Sequence, residues 1–407
     1  MITYIIIVNQ NSIKIDFSDS SFSTEDRFVL LGSPRCIKGI SQSSLLRINQ
    51  VFEIIDFSFK SIIKVIQTLS FVHSSINMKI ITNDECVELV CAEVREYLNL
   101  DGTYTLDVIH LVDKVEAKKR LVEAGIKTPN FLKFEPDLYL HSKESYIKKI
   151  LSNMNFPLVA KPTDKTSSSG VSLIYNNSDL ISWCDINIAE LNYEIEEYIE
   201  GILYHCDCIV QAGQIIYTQM GEGTFPCHEI TNGKNIGTRL VPHDTTIYHN
   251  ISNFNACALS VLNPPDGATH MEIFCKPDGE LVFLEMSARP PGGDIRWMYQ
   301  LYDNVDIEKA HFLIRMGFDY QLEPRVSGFY PAFAFFPTRN GTVEFLNKPD
   351  FNSNYSINWN IHVGQVLIDA EDLSVQKAGE IRLYGDRYNV EEDFKKLRNF
   401  VPFEVMS

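Results

Sequence analysis

Three regimes of hydrophobic spacing run along the chain. Over the first hundred residues, short apolar runs alternate with stretches whose apolar positions recur every three to four residues. Ile2–Val8, Phe28–Gly32 and Lys79–Thr82 predict strands. Leu45–Val51, Ser61–His73 and Asp84–Leu98 predict helices, the last opened by an Asn83/Asp84 cap, and Phe52–Phe57 reads as extended. Continuous apolar strands between helices predict a parallel sheet covered on both faces, a Rossmann-like half. No GxGxxG follows its strands, and Gly32-Ser33-Pro34-Arg35 does not replace one, so no dinucleotide site is predicted. The serine-rich stretches Ser18–Ser23 and Ser41–Ser44 read as loops.

The second regime mixes both periods. Asn99–Thr105 reads as a crossing segment, and Asp113–Gly125 as an amphipathic helix closed by its glycine. Phe131–Phe134 is extended, Lys143–Met154 helical, and Phe156–Lys161 a strand. A loop Thr163–Gly170, rich in hydroxyls, leads to a strand Val171–Tyr175. Glu194–Ile199 is a strand. Leu203–Gln211 pairs with Gln214–Met220 across Ala212-Gly213. On that strand Tyr204, Cys206 and Cys208 share one face and His205 and Asp207 the other. A metal site there is disfavoured, because alternating cysteines in a strand are normally core. Gly221–Arg239 reads as a mobile loop, and Ile247–Leu262 as a helix beneath the next hairpin.

That hairpin is Met271–Cys275 and Leu281–Met286 around Pro277-Asp278-Gly279, where proline fixes φ and glycine supplies a positive one. Side chains alternate across a strand, which puts Glu285, Ser287 and Arg289 on one face and Leu284, Met286 and Ala288 on the other. Pairing Cys275 with Glu280 puts Glu272 opposite Phe283 and diagonal to Glu285. Two carboxylates on one face with no lysine beside them repel unless a cation lies between. Mg²⁺ suits two acids, phosphate oxygens and water. The hairpin leaves through Arg289-Pro290-Pro291-Gly292-Gly293, which lets backbone approach a ligand closely. After the helix Ile307–Met316 the third regime is short strands, Gly328–Phe335, Gly341–Phe345, Asn360–Ile368 and Glu380–Tyr384, and a helix Glu391–Asn399.

Composition narrows the function. The 407 residues are ordinary globular material, 45% hydrophobic and 22% charged, enough for two or three domains. A net charge of −17 argues against nucleic acid or an anionic membrane as partner. The nine cysteines form no CxxC pair, which predicts neither a disulfide framework nor a zinc finger and favours a reducing, cytoplasmic setting. The start, MITYIIIVNQ, has no basic region and reads as a buried strand rather than a signal peptide. The loop Thr163–Gly170 can turn N–H and Oγ groups towards one anion, although no Walker pattern occurs.

In order, these pieces resemble the ATP-grasp carboxylate–amine ligases, and most of all the L-amino-acid (dipeptide) ligases. The resemblance rests on Asp113-Lys114 opening a helix that ends at Gly125, and on Val159-Ala160-Lys161-Pro162 before a serine-rich loop ending in Gly170-Val171. It rests further on Glu196-Glu197-Tyr198-Ile199-Glu200-Gly201 and on Glu272 followed thirteen residues later by Glu285-Met286-Ser287-Ala288-Arg289. Phe336-Pro337 with Gly341, and Ile361-His362-Val363-Gly364, are also similar to that branch.

The resemblance implies an α/β and α+β chain with the ATP-grasp fold. Its parts would be a Rossmann-like pre-ATP-grasp domain (1–108), a small lobe (109–200), a large lobe (201–320) and a C-terminal lobe (321–407). It implies that Lys114 and Lys161 contact ATP phosphates, that Thr166, Ser167, Ser168, Ser169 and Gly170 close over them, and that Glu196, Glu197, Tyr198 and Ile199 read the adenine edge. Glu272, Glu285 and Ser287 would hold Mg²⁺ or Mn²⁺, Ser287 standing where the family usually has asparagine as third ligand. Arg289, with Lys161, would serve the chemistry, and Glu229, Arg289, Gly292 and Gly293 would meet substrate. Leu203 stands where the family's ribose acid is common, and Asp207 does not obviously replace it. The implied partners are a small-molecule carboxylate and an amine, with a homodimer as the default assembly. Two alternatives stay open: a carboxylase or formyl-phosphate enzyme on the same fold, and an ATP-binding protein without catalysis.

Overall fold

The structure, a computed structural model, describes residues 3–69, 77–166, 168–323, 327–370 and 377–406. The chain opens with β1 (Thr3–Asn9), β2 (Arg27–Gly32), α1 (Pro34–Gly39), α2 (Gln42–Arg47), β3 (Ile48–Glu53), α3 (Phe59–Thr68), β4 (Asn77–Ile81) and α4 (Glu85–Tyr97). The four strands form an all-parallel sheet in the order β3-β2-β1-β4. Ile5, Ile7, Phe28 and Leu30 face one core, and Ile6, Val8, Val29 and Leu31 the other, which is why these strands read as unbroken apolar runs.

Serines do more here than fill loops. Ser33, Ser41 and Ser58 each cap a helix by accepting from a backbone N–H. The predicted helix Leu45–Val51 is therefore shifted: Ser41 starts α2 early, and Ile48–Glu53 is strand. The predicted helix beginning at Ser61 starts at Phe59 and is seen to Thr68; its end near His73 lies outside the described residues, as does Ile2. Asp84 caps α4, as expected.

Next come α5 (Thr105–Val112), where a crossing segment was expected to end, and α6 (Lys114–Glu123), whose cap Asp113 accepts from Val115 N and Glu116 N. Then follow β5 (Phe131–Lys133), α7 (Pro136–His141), α8 (Lys143–Leu151), β6 (Leu158–Pro162), β7 (Ser172–Ile174), α9 (Asn177–Ile186) and β8 (Tyr193–Glu197). The strands make an antiparallel sheet in the order β5-β8-β6-β7. Helices α8 and α9 bury Tyr146, Ile150, Leu180 and Trp183 against it.

The remainder is built on one antiparallel sheet of eight strands. Its first elements are β9 (Ile202–Gln211), β10 (Gln214–Gly223), a 3₁₀ turn Cys227–Asn232, β11 (Ile236–Leu240), α10 (Thr246–Leu262), β12 (Gly267–Cys275), β13 (Leu281–Ser287), α11 (Ile295–Asp303) and α12 (Ile307–Met316). The last are β14 (Tyr330–Pro337), β15 (Gly341–Leu346), β16 (Asn354–Trp359), β17 (Val366–Leu367), β18 (Lys377–Gly385), α13 (Arg387–Leu397) and β19 (Phe403–Met406). The sheet order is β13-β12-β9-β10-β11-β14-β18-β16, and β17-β15-β19 form a small sheet beside it.

Three expectations change here. Gly221–Arg239 is paired strand at both ends, with Gly221 opposite Leu240 and Glu222 opposite Arg239, around a 3₁₀ turn at Cys227–Asn232. Asn360–Ile368 is mostly a turn between β16 and β17. The hairpin register is also different. Cys275 pairs with Leu281 and Ile273 with Phe283, but Glu272 pairs with Glu285, because Leu284 is an extra residue in a bulge. Helix α10 does pack beneath the hairpin, through Ile251, Ala258 and Leu259. Helix α12 ties this sheet to the parallel one: Phe312, Leu313 and Met316 join the first core, and Glu308 accepts from Lys14 N and Asn83 Nδ2. Among the described residues no helix is long and apolar enough to cross a membrane.

Candidate active site

A pocket of about 760 Å³ of non-atom space, partly open to solvent, lies between the small β5-β8-β6-β7 sheet and the hairpin β12–β13. Lys161, at the end of β6, and Glu196, on β8, form its floor. Lys114, at the start of α6, and the acids Glu272 and Glu285 form the opposite wall. Val159, Ile199, Leu203, Phe274 and Leu284 supply the apolar lining. This is a half-apolar slot with charges at one end, a shape that suits a flat base and a polyphosphate.

The charges are ordered by packing. Lys161 Nζ lies 2.6 Å from Glu196 Oε1 and 3.7 Å from Glu194 Oε1. Behind it the fully buried Lys118 reaches Glu194 Oε1 at 2.9 Å and also contacts Glu196. Burial alone pushes the Glu196 carboxyl up, but Lys118 and Lys161 outweigh it and hold it below the usual range. Burial likewise opposes charge on Lys161, and Glu196 with Glu194 restores it and raises the ammonium.

Lys114 is a bridge. Its Nζ donates to Lys165 O at 2.8 Å and lies 3.2 Å from Glu285 Oε2, so it joins the serine-rich loop to the hairpin. Lys165, Thr166, Ser168 and Ser169 line the pocket mouth. Gly170 has φ of 76° and lies where a Cβ would come within 2.9 Å of Pro162 Cγ and Tyr193 Oη, so the turn needs glycine. Ser167 lies outside the described residues. Glu197 and Tyr198 complete the edge of the slot.

Glu272 and Glu285 are directly opposite across the strands, closer than a diagonal pair. The bulge also turns Leu284 into the same pocket as Glu285, against the expected alternation. A lysine does stand beside one of them, contrary to expectation. The pair is an all-oxygen, hard donor set, and its like charges favour a cation between them, so Mg²⁺ or Mn²⁺ fits these residues.

Ser287 and Arg289 do not line the pocket. Both are held by Glu85, the first residue of α4: Ser287 Oγ donates to Glu85 Oε2, and Arg289 Nε and Nη2 lie 2.7 and 2.6 Å from Glu85 Oε1. Burial works against the Glu85 charge, but Arg289 outweighs it and keeps the carboxyl down at about 2. Glu229, on the 3₁₀ turn, accepts from Asn232 Nδ2 and stands beside the pocket residues Cys227 and His228. Gly292 has open space where a side chain would go, and Gly293 lies against Phe333 and Phe335. Leu203 lines the slot, whereas Asp207 is buried outside it.

Sequence reasoning did not find Glu85, Lys118 or the contact of His270 with Glu272. Glu85 carried no local signal, since it meets the hairpin only in three dimensions. His270 did carry one: it precedes Glu272 by two residues on the same strand face. Among the described residues, the ligand atoms of His205, Asp207 and His270 lie within 4.8 Å of one another.

Comparison with known proteins bears on the fold. Residues 121–305 match the family described as D-ala D-ala ligase C-terminus. An L-arginine-specific L-amino acid ligase of Bacillus subtilis is 23% identical over 265 residues, covering 62% of this chain and 60% of that protein. A D-alanine–D-alanine ligase of Natranaerobius thermophilus is 29% identical over 189 residues, 44% of this chain and 51% of that one. The chain thus spans about half to three-fifths of these relatives. In three dimensions an L-amino acid ligase from Bacillus licheniformis superposes with a TM-score of 0.71 at 15% identity, covering 100% of this chain and 99% of that one. N5-carboxyaminoimidazole synthetase from Staphylococcus aureus, complexed with ADP, superposes with a TM-score of 0.65 at 15% identity, covering 97% and 96%.

Proposed function

This chain has the ATP-grasp fold and is related to the ligases of that fold, and on that premise we propose that it is an ATP-dependent ligase joining a carboxylate to an amine, with amino acids as substrates. The observation that carries the reading is one slot in which Lys114 and Lys161 face the cross-strand acids Glu272 and Glu285. The site residues and the four-part division at 108, 200 and 320 belong to this proposal, as do a cytoplasmic setting and a homodimer.

The roles follow from chemistry. Ile199, Leu203 and Val159 sandwich the base, and the backbone of Glu196–Ile199 reads its edge. Lys161 and Lys114 offset negative charge on the phosphoryl oxygens, and the loop through Thr166, Ser168 and Ser169 closes over them. Bound at Glu272 and Glu285, Mg²⁺ or Mn²⁺ would supply further charge stabilisation at the β- and γ-phosphoryl oxygens. A substrate carboxylate oxygen attacks the γ-phosphorus in line, and the bond to ADP breaks. The amine nitrogen then attacks the acyl carbon, and orthophosphate leaves. Arg289 meets the oxyanion of that second step by turning from Glu85, which holds the guanidinium beside the pocket between steps. The closed loop excludes water, which would otherwise hydrolyse the acyl phosphate.

The test is orthophosphate release from ATP and Mg²⁺ with pooled amino acids, each then omitted in turn, and mass spectrometry of active mixtures. Release that needs two components, with a product mass equal to their sum less water, is the expected result. Release stimulated by bicarbonate or formate alone would replace the proposal with a carboxylase or formyl-phosphate enzyme. ATP binding without turnover under any pair would replace it with a nucleotide-binding protein.

A further inference from the structure

Glu272 and Glu285 face each other, yet they are held differently. Glu285 has Lys114 at 3.2 Å. Among the described residues no lysine or arginine lies within ion-pair distance of Glu272. Its nearest basic neighbour is His270, whose Nε2 is 3.6 Å from Glu272 Oε1.

His270 is itself fixed with unusual completeness. Its Nδ1 lies 2.5 Å from Asp207 Oδ1, and Asp207 is fully buried. The other oxygen of Asp207 takes His205 Nδ1 at 2.8 Å and accepts from the Tyr299 hydroxyl. His205 Nε2 continues to Thr238 Oγ1 at 3.1 Å, and that hydroxyl donates to Glu222 O. Room for the ring comes from Gly221, where any Cβ would lie 2.3 Å from both His205 Nε2 and Thr238 Oγ1. Asp207 stands on β9 directly opposite His270 on β12, and Tyr299 comes from α11, so three elements fix one imidazole. The fully buried side-chain polar atoms of this set all have hydrogen-bond partners. The one end of the network that leaves the core is His270 Nε2, and it meets Glu272.

We infer that His270, clamped by Asp207, is the positioning residue for Glu272: it keeps that carboxylate turned towards Glu285 and so pre-forms the cation subsite of the hairpin. The physical need is plain. Opposed carboxylates repel, and without a hold the long Glu272 side chain swings out to water before a cation arrives. A fixed imidazole packed beside a ligating carboxylate restricts that freedom, as outer-shell partners do in metal sites. The inference rests on the proposed cation site of the ligase reading.

The trio His205, Asp207 and His270 could instead enclose a metal of its own. The geometry favours hydrogen bonds, because the two Nδ1 atoms are given to different oxygens of Asp207.

The experiment is a Mn²⁺ titration of the full chain with a non-hydrolysable ATP analogue, free Mn²⁺ being read by electron paramagnetic resonance. The proteins are wild type, Glu285→Gln, His270→Gln, Asp207→Asn, Tyr299→Phe and His205→Gln, each with its thermal melt. Glu285→Gln should lose Mn²⁺ binding. His270→Gln should weaken it by about 10- to 100-fold, leaving analogue affinity without metal unchanged. Asp207→Asn and then Tyr299→Phe should weaken it progressively less, and they carry the test if His270→Gln does not fold. A purely structural role predicts lower melting temperatures with unchanged Mn²⁺ affinity in the folded variants, which would overturn the inference and leave the ligase reading standing. Mn²⁺ binding indifferent to Glu285→Gln would overturn both. A second Mn²⁺ equivalent lost in His205→Gln would overturn it in favour of a metal inside the trio.

Discussion

Glu194 and Glu196 on β8, and Glu272 and Glu285 on the hairpin, are both pairs of glutamates at the same slot, and their surroundings differ. The first pair is buried, with side-chain exposures of 0% and 3%, and two lysines lie among its oxygens. The second keeps 18% and 25% exposure and has one lysine and one histidine at its edges. Buried carboxylates persist only when cations offset their desolvation. The β8 pair has that balance built in and acts as an anchor that aims Lys161. The hairpin pair lacks it and stays open on the pocket side, the condition for a site that takes its cation from solution. Residue type is the same in both places; the count of fixed cations separates anchor from binding site.

The largest break in that comparison comes from Glu285→Gln. Turnover should fall on the order of 10²–10³-fold or more, because a ligand and a fixed charge are both lost at the phosphoryl group. The melting temperature should fall slightly, since Lys114 loses the carboxylate it pairs with and this outweighs the relief of an opposed like charge. Kinetics beside calorimetry test this, and retained turnover would remove the cation argument. Lys118→Met tests the other pair. It leaves two buried carboxylates with Lys161 alone, and unfolding free energy from urea titration should drop by about 3–5 kcal/mol. A loss under about 1 kcal/mol would show that Lys161 suffices and that the two pairs are not different in kind.

What the sequence could show follows the same physics. The parallel sheet was legible because strands buried on both faces are apolar throughout. The hairpin turn was legible because Gly279, at φ of 87°, needs glycine. Its register was not, because the extra Leu284 breaks the two-residue period by which facing residues are counted. The two ends of Gly221–Arg239 were misread because their glycines look like loop. Gly221 and Gly237 are there for close approach: a Cβ on Gly237 would lie 2.0 Å from Phe333 O. Helix α5, eight residues long and apolar through most of its length, displays no clear period. For the site, Lys114, Lys161, Glu196, Glu272 and Glu285 do converge on one pocket. Glu85 was invisible because 202 positions separate it from Ser287. Lys118 was invisible because nothing local tells a buried lysine from a solvated one on an amphipathic helix.

A further acid sharpens the rule at intermediate strength. Glu308, on α12, is buried with Arg296 as its one ion-pair partner among the described residues, at 3.6 Å, and burial pushes its carboxyl up to about 7. The folded chain therefore keeps the proton to about pH 7, while the unfolded chain releases it near 4.5. More protons are bound in the folded state between those values, so stability from this group is full below 4.5 and is lost as pH rises to 7. Glu308→Gln should flatten that slope and raise the melting temperature by about 2–5 °C above pH 7, with little change at pH 4.5. Melting curves across pH would contradict the rule if both proteins kept the same slope.

The smallest effect belongs to Ser287, whose hydroxyl is engaged with Glu85. Arg289 contributes more than Ser287 to holding Glu85 ionised, so Glu85 keeps its place when the hydroxyl is removed. Ser287→Ala should then cost about 0.5–1.5 kcal/mol of stability, the range of one hydrogen bond, and leave the Mg²⁺ concentration for half-maximal turnover unchanged. If that concentration rises about tenfold instead, Ser287 supports the cation as well as Glu85. The hairpin site would then depend on a hydroxyl in addition to its two acids, and its contrast with the fully neutralised β8 pair would turn on neutral donors as much as on the count of fixed cations.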